Sequence, residues 1–286
     1  MRGSLSVTSV RNTIGMLRNH DSKTILVLEG DTDGVTLSEC LDRDECRTVI
    51  AHGKTDVIDA VEWADQQGYV GVLAIVDSDF VDIEEVRSES RNIVYTDAYD
   101  LDAMVFFAAG ILERCIESLC MHHTAHGSTY DPGECAKVRD TAIGMAGFIG
   151  AMRLYSIRGG HHIAMDDFPF ESAYKGSPPS LDSVQFAKIM LGRLKGADEA
   201  ESLLNRWISL ASVEPLPERR RAQGHDLFRS LALVVRKRWG ASFRGDIWER
   251  FARSHWKMLH LEGTEMHAEV EKWCKRNNRK VWVSAA

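Results

Sequence analysis

Two short apolar runs, each cut off by carboxylates, constrain this chain more than any other feature. Thr24-Ile25-Leu26-Val27-Leu28 leads into Glu29-Gly30-Asp31-Thr32-Asp33, and Val72-Leu73-Ala74-Ile75-Val76 leads into Asp77-Ser78-Asp79. Runs this short, without polar alternation and rich in β-branched residues, read as strands buried on both faces. Such strands belong to a mostly parallel sheet with helices on either side. Their C-terminal ends open on one edge, where ligands bind. The pattern therefore predicts that Glu29, Asp77 and Asp79 meet at that edge although they are distant in sequence. Three hard oxygen donors there suit Mg²⁺, with Mn²⁺ as an alternative.

The surrounding sequence supports an α/β fold. A leading helix is expected from Val7 to Arg18, and strands at Thr24–Leu28, Thr48–Ala51, Val70–Val76 and Asn92–Tyr95. Helices are expected at Val35–Leu41, with Asp33 as N-cap, and at Asp56–Gln67. Strands alternating with helices indicate βαβ units. After Ala103 the pattern turns helical, with Met104–Leu119, 134–154, 181–195, 197–211, 226–239, 246–259 and 264–276 as expected helices. Two domains follow: residues 1–113 as the α/β part, and residues 114–286 as a mainly helical part.

The carboxylates carry the chemistry. Glu29 stands at a strand end before a glycine that permits a tight turn, and can ligate metal or move a proton. Asp77 and Asp79 alternate along an extended chain and so are expected on one side. Two like charges that close repel each other, and a divalent cation relieves the repulsion. Gly53-Lys54-Thr55 is not a phosphate loop, because the earlier glycine of that motif is replaced by Thr48. Lys54 reads as a surface lysine or as a contact to a phosphate.

Cys115, Cys120, His122, His123, His126 and Cys135 are dense, but their spacing fits no common finger, so zinc is not expected. His161-His162 reads as a polar loop. Six cysteines in 286 residues are not a disulfide framework. No apolar run reaches the roughly 20 residues of a membrane span, and the first residues lack the apolar core of a signal peptide. Both point to a cytoplasmic protein without a membrane partner.

Charge is uneven. The chain carries −7 overall, with 9 basic and 22 acidic residues over positions 1–113, and 16 basic and 7 acidic over positions 219–286. An acidic front and a basic rear suit a protein that holds a phosphate backbone with one part and cuts with the other. Solvated helical faces explain the basic stretches equally well. Arg219-Arg220-Arg221 and Arg236-Lys237-Arg238 are the candidate contacts to nucleic acid or to an acidic partner.

The Glu-Gly turn after one strand, followed by Asp-x-Asp after a later one, resembles the TOPRIM domain of topoisomerases, primases and OLD-type nucleases. Within that family the chain is similar to the TOPRIM-like effectors of PARIS-type anti-phage defence. The resemblance covers about the first third of the chain. It implies that activity depends on Glu29 and that Asp77 and Asp79 hold Mg²⁺. It also gives Asp33 a place beside the metal site, Asp102 (less so Asp100) a place just outside the ligands, and makes Gly224-His225-Asp226 a family-like feature. It further implies a toxic nuclease that cleaves RNA such as tRNA, held by an ABC-type ATPase and homodimeric once released. The same carboxylates are compatible with a metal-dependent phosphatase or nucleotide hydrolase, or with a non-catalytic TOPRIM binding module.

Overall fold

The computed structural model of the chain describes residues 7–84, 86–125, 128–161, 163, 165, 167–194, 200–211 and 216–283. His126 and His162 therefore lie outside the described residues. The first elements are α1 (Val7–His20), β1 (Thr24–Leu28), α2 (Asp31–Leu37), β2 (Cys46–Ile50), α3 (Lys54–Gln66), β3 (Val72–Val76) and β4 (Ile93–Tyr95). The four strands form one sheet in the order β2-β1-β3-β4, and every pairing is parallel.

All five residues of β1 and of β3 are buried, as their unbroken apolar sequence requires. On one face, Val10 and Ile14 of α1 and Val57 and Val61 of α3 pack on Ile25, Val27, Val72 and Ala74. Strand β2 is a sheet edge, and two of its residues are exposed. It runs earlier than the expected Thr48–Ala51.

Helix α2 also starts earlier than expected, and Asp33 is not its N-cap. Gly30 takes that position in extended conformation, and Asp33, one turn in, accepts the Gly30 N–H at 2.8 Å. This is the return half of a capping box. Helix α3 begins at Lys54 because Gly53 holds a φ of 156° that other residues rarely adopt.

The remaining elements are α4 (Leu101–Phe107), α5 (Ile111–Cys120), α6 (Cys135–Arg158), α7 (Phe170–Ala173), α8 (Ser183–Arg193), α9 (Ala200–Ala211), α10 (Gly224–Trp239), α11 (Gly245–His255), α12 (Met258–Leu261) and α13 (Glu265–Asn277). The single helix expected at Met104–Leu119 is split in two, with Gly110 at a φ of 78° before α5. Two short antiparallel hairpins complete the described residues. Among these residues no helix is long and apolar enough to cross a membrane.

The division at residue 113 is corrected. One compact unit comprises residues 1–101 together with 253–286, and the other comprises residues 102–252. The C-terminal segment belongs with the sheet. Thr24 Oγ1 donates to the Lys280 carbonyl at 2.8 Å, and Trp273 Nε1 donates to Asn92 Oδ1 at 2.6 Å. The Asp97 carboxylate accepts the Glu265 and Met266 amides at the start of α13, both at 2.7 Å. Lys280 pairs with Asp42 at 2.7 Å, and Lys257 pairs with Glu39.

This return also reduces the expected charge asymmetry, leaving the sheet unit acidic and the other near neutral. Seven basic residues of the tail fall in the sheet unit, which holds 16 basic and 24 acidic residues, while the other unit holds 19 and 18.

In the second unit α6 packs along α10. Gly147 and Gly150 of α6 leave room for Arg221, since a Cβ on Gly150 would stand 1.8 Å from the Arg221 carbonyl oxygen. Arg153 of α6 pairs with Asp226 of α10 at 2.9 Å, and both side chains are almost fully buried. Arg153→Met removes the counter-charge and leaves Asp226 stranded. The expected cost is about 3–5 kcal/mol, read as a lower denaturation midpoint in chemical unfolding.

Candidate functional site

The site grows from the order of the sheet. The chain leaves β1 for β2 on one side and later returns to place β3 on the other. The C-terminal ends of β1 and β3 therefore form the point where the winding reverses, and Glu29 and Asp77 are the first residues beyond them. Glu29 Oε1 accepts the Asp77 backbone N–H at 2.8 Å, which joins the two strand ends.

Asp79 arrives differently from the expectation. It does not continue the strand alternation of Asp77. Strand β3 stops at Val76, and Asp79 sits at a φ of 44° in the left-handed region, where aspartate is better tolerated than most residues. Its amide donates to the Tyr99 carbonyl at 2.8 Å.

Buried Ser78 fixes the turn from within. Its amide donates to Thr96 Oγ1 at 2.9 Å, its hydroxyl donates to the Thr96 carbonyl at 2.5 Å, and the Thr96 hydroxyl donates to the Ala98 carbonyl at 2.8 Å. The turns after β3 and β4 are thus one hydrogen-bonded assembly. Sequence reasoning passed over Ser78 and Thr96, although a small hydroxylated residue between two aspartates was the available signal.

The electrostatics mark the same place. Burial pushes the Glu29 carboxyl up to about 7; the Asp77 amide opposes the shift, and the negative charges of Asp79 and Asp33 add to it. Asp77 is raised well above the usual carboxylate range, first by burial and then by Asp100, Glu29, Asp33 and Asp79. Five carboxylates therefore sense one another here. Lys54 is the basic side chain that answers them, donating to Asp79 Oδ2 at 2.9 Å.

The turn between β4 and α4 contributes Asp100 to this group. Asp102, the residue the resemblance favoured, falls in the second unit, packed against Gly224. A Cβ on Gly224 would stand 2.3 Å from that of Asp102.

His225 also belongs to the second unit, where its Nδ1 lies 2.5 Å from Glu249 Oε1. Gln223 is the N-cap of α10, and Asp226, in its first turn, is buried against Arg153. Of the basic runs, Arg221 is enclosed by α6 and donates to the Leu216 carbonyl at 2.9 Å. Arg236 pairs with Glu171 at 2.7 Å, and Arg238 pairs with Glu134 through two bonds of 2.6 and 2.7 Å. Arg219 is exposed, and Arg220 and Lys237 are partly so.

Cys115 and Cys120 are buried thiols pushed up to about 12 by that burial. His123 packs its ring against Phe243 at 5.6 Å, and His161 packs on Trp207 at 5.5 Å.

The donor set at the sheet edge is all carboxylate oxygen, with mutual repulsion that a divalent cation would relieve, so its chemistry fits Mg²⁺ or Mn²⁺. As the side chains stand, no three His, Cys, Asp or Glu residues among those described are arranged to hold a metal ion. Glu29 is engaged by an amide and Asp79 by Lys54, so a cation competes with both partners for these carboxylates. Compared with models of protein families and with curated proteins, the chain finds no match.

The raised carboxyls set a stability prediction. The proton on Glu29 favours the folded state, so this contribution is complete below about 4.5 and is lost as pH rises through about 7. Asp77 acts in the same direction. The metal-free protein should melt at progressively lower temperature across that interval. Glu29→Gln should flatten the dependence, and millimolar Mg²⁺ at pH 8 should restore stability to the parent but not to Asp77→Asn. Calorimetry across pH checks all three.

Proposed function

We propose that the chain is a Mg²⁺-dependent nuclease of the TOPRIM type, cutting phosphodiesters at the edge formed by Glu29, Asp77 and Asp79. The observation that carries the reading is the convergence of five carboxylates on the switch point of a parallel sheet, with Glu29 bonded to the Asp77 amide. Structural carboxylates are seldom gathered against their own repulsion, and perturbed acids at such a crevice favour a functional site.

In this reading Asp77 and Asp79 hold Mg²⁺, with Asp33 and Asp100 adding negative potential. The cation, when bound, polarises a phosphoryl oxygen and stabilises the charge that develops on it. Glu29, raised to about 7, is matched to taking a proton near neutral pH, the property asked of a general base. Lys54, which donates to Asp79 Oδ2, stands at the same edge as a cation that can answer a phosphate oxygen. The Ser78–Thr96 bonds hold the Asp77 to Asp79 turn rigid, so the carboxylates do not reorganise during the reaction.

The resemblance to PARIS-type effectors supplies the wider setting. The nuclease is a cytoplasmic toxin of anti-phage defence, with RNA such as tRNA as its target. An ABC-type ATPase restrains it until release, and it then acts as a homodimer. A second reading is a metal-dependent phosphatase acting on small phosphoesters. The near-neutral balance of the second unit favours it, because a nucleic-acid grip normally carries excess positive charge.

Expression of the protein beside Glu29→Gln, with and without a co-encoded ATPase, tests the proposal. RNA integrity is followed in cells and in vitro with Mg²⁺ or chelator. Loss of at least about 100-fold in cleavage, together with loss of toxicity, is expected from Glu29→Gln. Equal toxicity of both forms with intact nucleic acids would remove the nuclease reading. Turnover of p-nitrophenyl phosphate without cleavage of RNA or DNA would establish the phosphatase.

A further inference from the structure

The second unit contains a cleft of about 550 Å³, bounded by α10, the start of α7 and the turn that leads into α11. Three basic residues of α10 line it: His225, Arg229 and Arg236. They recur at i, i+4 and i+11, which keeps them on one face over three turns, a row about 16 Å long. Arg244 lines the cleft from the opposite turn. That turn comes close because residue 245 is glycine; a Cβ there would stand 2.7 Å from Arg229 Cγ.

We propose that this cleft binds the phosphate backbone of a single-stranded nucleic-acid segment, held by His225, Arg229, Arg236 and Arg244.

Each contact has a built support. His225 Nδ1 is held by buried Glu249 at 2.5 Å, so Nε2 can donate to a phosphate when the ring is protonated. The same carboxylate raises the affinity of His225 for its proton, and the ring is charged more readily for it. The Arg229 guanidinium lies over the Phe170 ring at 5.5 Å, so its plane is oriented. Half-buried Phe243 lines the cleft with its ring braced edge-on by Trp248 and offers a surface for a base.

Two acids share the cleft. Arg236 is paired with exposed Glu171 at 2.7 Å, and Arg244 with Asp246 at 3.0 Å. Surface pairs of this kind hold weakly, and a phosphate competes for both arginines.

Length decides between ligands. A stacked strand advances about 3.4 Å per nucleotide, so a row of about 16 Å spans several nucleotides and exceeds what one free nucleotide needs. The inference rests on the nuclease reading only for the statement that the bound strand is also substrate.

The test is fluorescence anisotropy with a labelled 12-nucleotide single-stranded RNA in chelator, so that no cation bridges RNA to the sheet edge. Arg244→Glu is the lead variant, since the Arg244 side chain is 84% exposed and the change should leave the fold intact. Arg236→Gln is the second, and melting temperatures verify folding. Each substitution should weaken binding several-fold and the pair at least tenfold, and each lost cation should lower the salt slope by about one.

Unchanged affinity in both cleft variants, absence of binding by the parent, or competition by AMP as strong as by the unlabelled oligonucleotide would overturn the proposal. Loss of binding in the cleft variants with no cleavage by any form would sustain the cleft and defeat the nuclease reading instead.

Discussion

A parallel strand with neighbours on both sides cannot be reached by a tight turn, and β1 is such a strand. Its partners β2 and β3 are each reached by a crossover containing a helix. The crossovers cover the sheet and bury every residue of β1, so four are apolar and the fifth, Thr24, bonds its hydroxyl to the Lys280 carbonyl. They also leave a gap between the ends of β1 and β3, since the chain departs from that point in opposite directions. Glu29 spans this gap to the Asp77 amide. The feature that lets the sheet close its core thus also opens a polar crevice at its edge. The carboxylates there are bounded by turns whose own polar groups are satisfied internally by Ser78 and Thr96.

The second unit depends on close approach. Gly147 and Gly150 admit the Arg221 backbone, Gly224 admits Asp102, and Gly245 admits Arg229. In each case the glycine matters for the missing side chain more than for unusual dihedral angles. The contacts draw α6, α10 and the turn before α11 around the buried Arg153–Asp226 pair. The Gly224-His225-Asp226 stretch is in this way three separate devices: a close contact, an oriented imidazole and a buried charge.

Much of the sheet was readable in the sequence, because double-faced burial leaves an unmistakable apolar run at Thr24–Leu28 and at Val72–Val76. The acidic edge followed from those strand ends. What was not readable depended on turns and distant partners. Asp79 was assigned to strand alternation, but a buried serine bonded to Thr96 bends the chain before it. Asp100 and Asp102 are indistinguishable by type, and only the point where α4 begins separates them. The capping of α2 went to Gly30 because Asp33 serves as well from inside the helix as before it. Nothing local announces that Trp273 meets Asn92 or that His225 meets Glu249, so neither the discontinuous unit nor the cleft could be read from periodicity. The basic tail misled for the same reason: its charges answer acids more than 200 positions earlier, as Lys280 does Asp42.

The discontinuous unit has a consequence for how the protein is made. The strands that carry Glu29 and Asp77 leave the ribosome well before the helix that bonds to Asp97 and Asn92. The 151 intervening residues need about 8–30 s at about 5–20 residues per second. During that delay the sheet lacks its final cover, and the Asp97 turn, joined to the Ser78 assembly, is not yet anchored by α13. Synthesis order thus places the final anchoring of this edge after translation of the whole second unit.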